Sequence, residues 1–139
     1  MAKVNAEERR AQLRRTAERA LRPDQDKPAT IVRFFSDKKP DSATGWLRYA
    51  EALASLNRSE EARLAARRAW TSAPLTMADE ARLVQRFGSI LRDEDHDDRM
   101  DRFLWLRATD AAARQIARTS LTRRPNFDVR LALLTKAPD

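Results

Sequence analysis

The run Asp93-Glu94-Asp95-His96-Asp97-Asp98 concentrates more potential ligands than any other stretch of this chain, and His96 is its single histidine. Carboxylates and one imidazole can hold a hard divalent ion if their spacing wraps them around it. An EF-hand loop does this with alternating oxygen ligands, a glycine at the turn and a distal glutamate, and the run has none of that spacing. It reads instead as the acidic first turn of a helix, where the macrodipole favours negative charge, with His96 exposed or hydrogen-bonded. Nucleophilic chemistry has no better footing. Cysteine is absent, and His96 would have to serve Ser89 or Thr76, neither of which sits in an elbow motif. The two glycines, Gly45 and Gly88, are too few for a phosphate-cradling loop. Trp46, Trp70 and Trp105 offer faces on which a sugar can stack, yet each belongs to an apolar helical stripe, which is the setting of a core aromatic. No catalytic, cofactor-binding or metal-ligating residue is therefore assigned, and no cofactor is expected.

The elements that carry these residues are helical. Only 2 glycines against 35% charged residues, with abundant Ala, Leu and Arg, suits helices, and no stretch alternates as a half-buried strand does. The stretch from Thr44 to Trp105 organises the rest. Trp46, Tyr49, Ala50 and Leu53 recur at i, i+3, i+4 and i+7 and so share a helix face. Leu56-Asn57-Arg58-Ser59-Glu60-Glu61 supplies a stop and a fresh start, with Ser59 or Asn57 as cap. A second stripe, Ala62, Ala65, Ala66, Ala69 and Trp70, completes a helical hairpin. Val84, Phe87 and Leu91, then Met100, Phe103, Leu104 and Trp105, form a related unit. The tryptophans closing the two units, Trp70 and Trp105, stand 35 residues apart (105 − 70), near the period of stacked helix pairs, although the residues between do not align as a clean repeat.

Before this stretch, a helix from about Asn5 to Leu21 stops ahead of Pro23, with Leu13, Ala17, Ala20 and Leu21 as its inner face. A short helix with Ile31, Val32, Phe34 and Phe35 follows, and Pro40 with Asp41-Ser42 starts the Trp46 helix. Thr76-Met77-Ala78-Asp79 resembles a capping box. After Trp105, one helix over Arg107 to Ser120 carries Ala108, Ala112 and Ile116, and a last one carries Val129, Leu131, Leu133 and Leu134. The expected organisation is a basic N-terminal helix and linker over 1–26 and a helical-repeat segment over 27–139. The fold class is all-α, with antiparallel helix pairs stacked as a tetratricopeptide-like superhelix or solenoid. Its core is Trp46, Leu53, Ala66, Trp70, Phe87, Phe103 and Trp105. The abrupt end at Ala137-Pro138-Asp139 leads one to expect a longer superhelix.

The formal net charge of +7 raises the question of nucleic acid. Much of the excess is Arg9, Arg10, Arg14, Arg15, Arg19 and Arg22, interleaved with Glu7, Glu8 and Glu18 as on a solvated helix face. Neither a reading helix nor stacking aromatics accompany it, so a nucleic-acid partner rests on charge alone and is not favoured. No window approaches 18 uninterrupted apolar residues, so no membrane span is expected, and the first residues have no apolar signal core. The lack of cysteine rules out disulfides without naming a compartment.

Phe34-Phe35, Pro40, Gly45-Trp46-Leu47-Arg48, Ala52-Leu53, Asn57-Arg58 and Arg67-Arg68-Ala69-Trp70 come in the order found in a known scaffold. They are followed by Glu80-Ala81, Arg86-Phe87-Gly88, Asp95-His96-Asp97, Arg99-Met100-Asp101-Arg102 and Leu104-Trp105. From about Ile31 to Asp139 the chain resembles the helical superhelix that precedes the catalytic domain in soluble lytic murein transglycosylases. The resemblance implies a periplasmic parent that cleaves the β-1,4 bond between N-acetylmuramic acid and N-acetylglucosamine, leaving a 1,6-anhydro product. Its catalytic glutamate belongs to a Glu-Ser motif followed by Gly-Leu-Met-Gln, and neither motif occurs here. The paired-carboxylate logic of glycosidases thus has no place in this chain. The expectation is a non-catalytic scaffold segment, with that family's catalytic domain as its partner in the same chain and peptidoglycan as a weak one. The alternative is a stand-alone helical-repeat adaptor that binds a peptide in a groove.

Overall fold

The computed structural model describes residues 2–136, with side chains from residue 5 onward, so Ala137, Pro138 and Asp139 lie outside the described residues. Among the described residues there are eight α-helices and no strand: α1 (Ala2–Ala20), α2 (Pro28–Asp37), α3 (Ala43–Ser55), α4 (Ser59–Ser72), α5 (Met77–Phe87), α6 (Asp93–Trp105), α7 (Thr109–Gln115) and α8 (Arg124–Lys136). Short 3-10 turns follow α5 at Gly88–Ile90 and α7 at Ile116–Arg118, where one continuous helix to Ser120 was expected. Packing divides the chain into two units, Met1–Ala69 and Trp70–Asp139, with the division inside α4.

In the first unit both α1 and α2 lie against α3. Buried on almost every side, α3 contributes Leu47, Tyr49, Ala50, Ala52 and Leu53, and α2 contributes Ile31, Val32 and Phe35. Pro28 opens α2, where a missing N–H costs nothing. On α4, Ala62, Ala65, Ala66 and Ala69 are buried. Trp46, expected inside, is only half-buried: its ring tilts against Tyr49 at 6.1 Å and is covered by the Arg68 guanidinium at 5.0 Å.

The expected inner face of α1 is reversed. Leu13 is 62% exposed and Ala17 and Ala20 are exposed, whereas Glu18 is fully buried. The helix docks through charge, for an identifiable reason. The carboxylate of Glu18 accepts hydrogen bonds from Asp41 N (2.8 Å), Ser42 N (3.0 Å) and Ser42 Oγ (2.6 Å), and pairs with Arg14 Nε at 3.0 Å. Ser42 Oγ in turn accepts from Gly45 N and caps α3. An anion is thereby held at the N-terminus of α3, where the orphan N–H groups favour it. Arg14 also lies 4.1 Å over the ring of Phe34. Through these contacts α1 packs against α3 within the first unit.

In the second unit α6, α7 and α8 pack pairwise around Met100, Phe103, Leu104, Ala111, Ala112 and Phe127. Leu83 and Phe87 are the buried residues of the apolar α5 face, while Val84, expected in that stripe, is 38% exposed. Trp105, expected in the core, is 78% exposed. At 100° per residue it lies about 140° around α6 from Met100, on the side away from the arc of Arg99, Met100, Phe103 and Leu104. Phe127, absent from the expected core, fills it instead, and Val129 and Leu133 of α8 face outward.

The ends of α3 and α6 use the same device. Among the described residues, Asn57 (φ 62°) and Arg107 (φ 57°) are the non-glycine residues of left-handed backbone. Arg58 N donates to Leu53 O and Asn57 N to Ala54 O; Ala108 N donates to Phe103 O and Arg107 N to Leu104 O. Both are Schellman turns. They stand 50 positions apart (107 − 57), so the recurring feature is Leu56-Asn57-Arg58-Ser59-Glu60 with Leu106-Arg107-Ala108-Thr109-Asp110. The 35-residue spacing of Trp70 and Trp105 joins two non-equivalent positions, one buried and one exposed. Asn57 thus terminates α3 rather than capping α4.

Candidate functional site

The site in the second unit is built around Trp70. Arg99 of α6 is 1% exposed and stands over that indole, its guanidinium carbon 3.6 Å from the ring centroid and 4.7 Å from that of Phe103. A position four residues before Phe103 belongs to the inner face of α6, so Arg99 points inward because Phe103 does. Its Nη2 donates to Glu80 Oε2 of α5 at 2.9 Å, and its Nη1 to Trp70 O at 3.4 Å. Burial outweighs the nearby carboxylate and pushes its pKa down to about 10, with Arg118 and Arg114 adding repulsion.

Arg118 reaches the other oxygen of Glu80, Oε1, at 3.4 Å, and stands 5.4 Å from the Trp70 ring. Asp97 anchors the segment that carries it. This buried carboxylate accepts from Ser120 N (2.8 Å) and Ser120 Oγ (2.7 Å), which fixes the chain two residues beyond Arg118. Arg124 reinforces the same corner by donating to Thr119 O at 2.6 Å.

Beside these groups a cleft of about 540 Å³ is lined by Val84, Gln85, Gly88, Ser89, Leu91, His96 and Arg118. It adjoins a hollow of about 530 Å³ that shares Val84, Gln85 and Arg118 and adds Met77, Glu80, Ala81 and Arg114. Glu80 is the one carboxylate among these lining residues. His96 accepts a hydrogen bond at Nδ1 from Trp70 Nε1, at 3.2 Å and with the rings edge-on. An imidazole that accepts at Nδ1 carries its proton on Nε2, so its remaining polar group is a donor. Gln115 Nε2 donates to the His96 carbonyl and holds this turn of α6.

Burial lowers the pKa of His96 from its usual 6.5, and Arg118 and Arg99 lower it further against the opposing pull of Asp95 and Asp93. The unfolded chain therefore takes up the proton first as pH falls, and stability drops from about pH 6.5 downward until the folded imidazole is protonated too; above that range His96 contributes no pH dependence. As the single histidine it gives one imidazole Cε1–H signal. The expected titration midpoint lies below 6.5, and a midpoint above 6.5 would show that burial and the neighbouring arginines do not hold the neutral form.

The acidic run lies where a helix start was expected. Asp93, Glu94 and Asp95 occupy the first turn of α6, and Asp95 Oδ2 accepts from Arg92 N at 2.9 Å. Among the described residues no three His, Asp or Glu side chains are placed to hold a metal ion. Thr76 caps α5, its Oγ1 accepting from Asp79 N at 3.1 Å. Ser89 shares the cleft with His96, but no hydrogen bond joins the two. Glu80 and Arg99 enter the sequence reading only within the runs that carry the family resemblance, and Arg118 not at all; the one available signal for a site was an arginine at the inner position of the Met100–Phe103 stripe. No helix among the described residues is long and apolar enough to cross a membrane. Compared with known proteins, the chain matches no family model, no curated protein and no solved structure at a significant level.

Proposed function

We propose that this chain is a non-catalytic scaffold: helical hairpins of a solenoid that supports a peptidoglycan-cleaving transglycosylase domain in the periplasm, as its sequence resemblance implies. The observation that carries the reading is an exposed apolar strip. Trp105 and Leu133, 78% and 67% exposed, line a hollow of about 460 Å³ with Leu104, Leu134, Arg107 and Arg130, and Leu106 at the end of α6 and Val129 of α8 are also more than a third exposed. An apolar patch with a charged rim is the signature of a covered surface. In a stack of helix pairs, each unit buries such a face against its neighbour. The recurrence of one Schellman turn after α3 and α6 is further support, since solenoids reuse their hairpin geometry.

Two observations test this. Incubated with murein sacculi, the purified chain should release no anhydro-muropeptides, and any pelleting should be weak and decline between low and high salt as its arginines are screened. Release of anhydro-muropeptides would overturn the scaffold reading. In the reading frame around this segment, the expected neighbour is a domain with Glu-Ser and Gly-Leu-Met-Gln motifs. A frame without it makes the chain a helical-repeat adaptor, with the Trp105 strip as the seat of a separate polypeptide.

A further inference from the structure

The geometry points to the cleft between α5 and the Ile116–Arg118 turn as a binding site for a carboxylate carried beside a small apolar group, such as the terminal residue of a peptide. Two guanidiniums, Arg99 and Arg118, share the carboxylate of Glu80, and a third, Arg114, lines the same hollow without reaching it. Arg99 takes Oε2 at 2.9 Å, which leaves Oε1 for Arg118 at a longer 3.4 Å. Arg114 makes no ion pair among the described residues, so the group carries a surplus of two positive charges. The Arg118 side chain is 36% exposed and lines both halves of the cleft. His96 adds a neutral Nε2–H, because Trp70 occupies its Nδ1. The polar groups facing the space are thus weighted toward donors.

A guanidinium presents two parallel N–H groups to a carboxylate. The apolar walls are Val84 and Leu91 on one side and Met77, 75% exposed, with Ala81 on the other. They suit a methyl-sized group next to the charge. A fully hydrated small anion would gain nothing from them, which is why the shared chemistry is that of a peptide end rather than of phosphate. The cleft is held open by contacts already formed: Asp97 on Ser120, Gln115 on the His96 carbonyl, and Trp70 between Arg99 and His96. This site stands on the second unit's geometry and does not depend on the scaffold reading.

The test uses the full chain and the His96 Cε1–H signal as reporter. Acetyl-L-Ala-L-Ala, acetyl-D-Ala-D-Ala, their C-terminal amides and inorganic phosphate are titrated separately at low salt. Both free acids are expected to shift the signal saturably, with Kd about millimolar, and the amides to leave it in place. A preference for the D-form points to wall peptides as the source, and a preference for the L-form to protein C-termini. Arg114→Gln should weaken binding by about tenfold, the worth of one charged hydrogen bond, and Arg118→Gln by at least as much. Arg10→Gln, which lowers net charge equally from an exposed position on α1, should leave Kd within twofold. Because Arg118 also braces Glu80, Arg114→Gln is the decisive variant. Equal shifts from acid and amide, tighter binding of phosphate than of either peptide, or an Arg114→Gln protein that binds as wild type would each overturn the proposal.

Discussion

Gly45→Ala is expected to destabilise the first unit, and to stop doing so once Glu18 has been replaced by alanine. On helix propensity alone the substitution should stabilise, because alanine is better than glycine inside a helix by about 1 kcal/mol. The space at Gly45 decides otherwise. A Cβ there would overlap Glu18 Oε1, with Glu18 Cδ at 2.8 Å and Pro40 Cβ at 3.1 Å. The carboxylate has no slack, since it is fully buried and fixed by Asp41 N, Ser42 N, Ser42 Oγ and Arg14. Overpacking costs about 1–3 kcal/mol, and each charged hydrogen bond stretched or lost adds about 1.5–3 kcal/mol. A net loss of about 3 kcal/mol is therefore expected for Gly45→Ala. Glu18→Ala should cost about 3–5 kcal/mol, as the removal of one partner from a buried ionic cluster does. In the Glu18→Ala background only the tight Pro40 Cβ contact at 3.1 Å remains against the propensity gain of about 1 kcal/mol, and Gly45→Ala should be close to neutral. Urea unfolding of the four proteins measures the coupling; equal costs for Gly45→Ala in both backgrounds would show that the glycine is not there for the carboxylate.

The second large effect concerns Arg99. Arg99→Ala should cost about 3–5 kcal/mol, through the cavity left against Trp70 and Phe103 and through the Glu80 oxygen left with its pairing broken. Arg99→Met should cost less than half as much. The reason is the direction of the pKa shift: a value lowered from the ordinary arginine range to about 10 means that the fold disfavours the charged guanidinium relative to the unfolded chain. Charge at this position is tolerated because Glu80 and the two rings offset its desolvation, and the packing of the flat side chain is what stabilises. Glu80 keeps Arg118 in the methionine variant, at 3.4 Å. Denaturant midpoints compare the two variants. If Arg99→Met is as damaging as Arg99→Ala, the ion pair rather than the packing holds this corner together.

The peptidoglycan reading makes the Trp105 strip the surface to examine in any longer form of the chain. Trp105 is 78% exposed beside Leu133 at 67%, whereas Trp70 is wholly enclosed. Of the three tryptophans, Trp105 presents the face on which a helix, a peptide or a sugar can still pack.

By itself the amino-acid sequence determined the helices and many of their boundaries. Helical propensity, scarce glycine and the placement of Pro28, Ser42 and Thr76 are local quantities, and local quantities act wherever the chain happens to fold. It also pointed to Ile31, Val32, Phe34 and Phe35 as an inward face, of which Ile31, Val32 and Phe35 are buried while Phe34 is half-buried under Arg14. The tertiary structure decided which face of α1 turns inward. Periodicity favoured Leu13 and Ala17, but Asp41 N and Ser42 N at the start of α3 need an acceptor beyond the Ser42 cap, and Glu18, 24 residues before Ser42, supplies it. It likewise decided that Trp105 stays outside while Phe127 fills the core, since an apolar stripe names candidates and only the position of α8 against α6 and α7 selects among them. The candidate site was the least legible of all. Arg99, Arg118, Glu80 and His96 come from three separate segments, and what makes them one group is the Trp70 ring and the Asp97–Ser120 clasp, neither of which has any signature in sequence spacing.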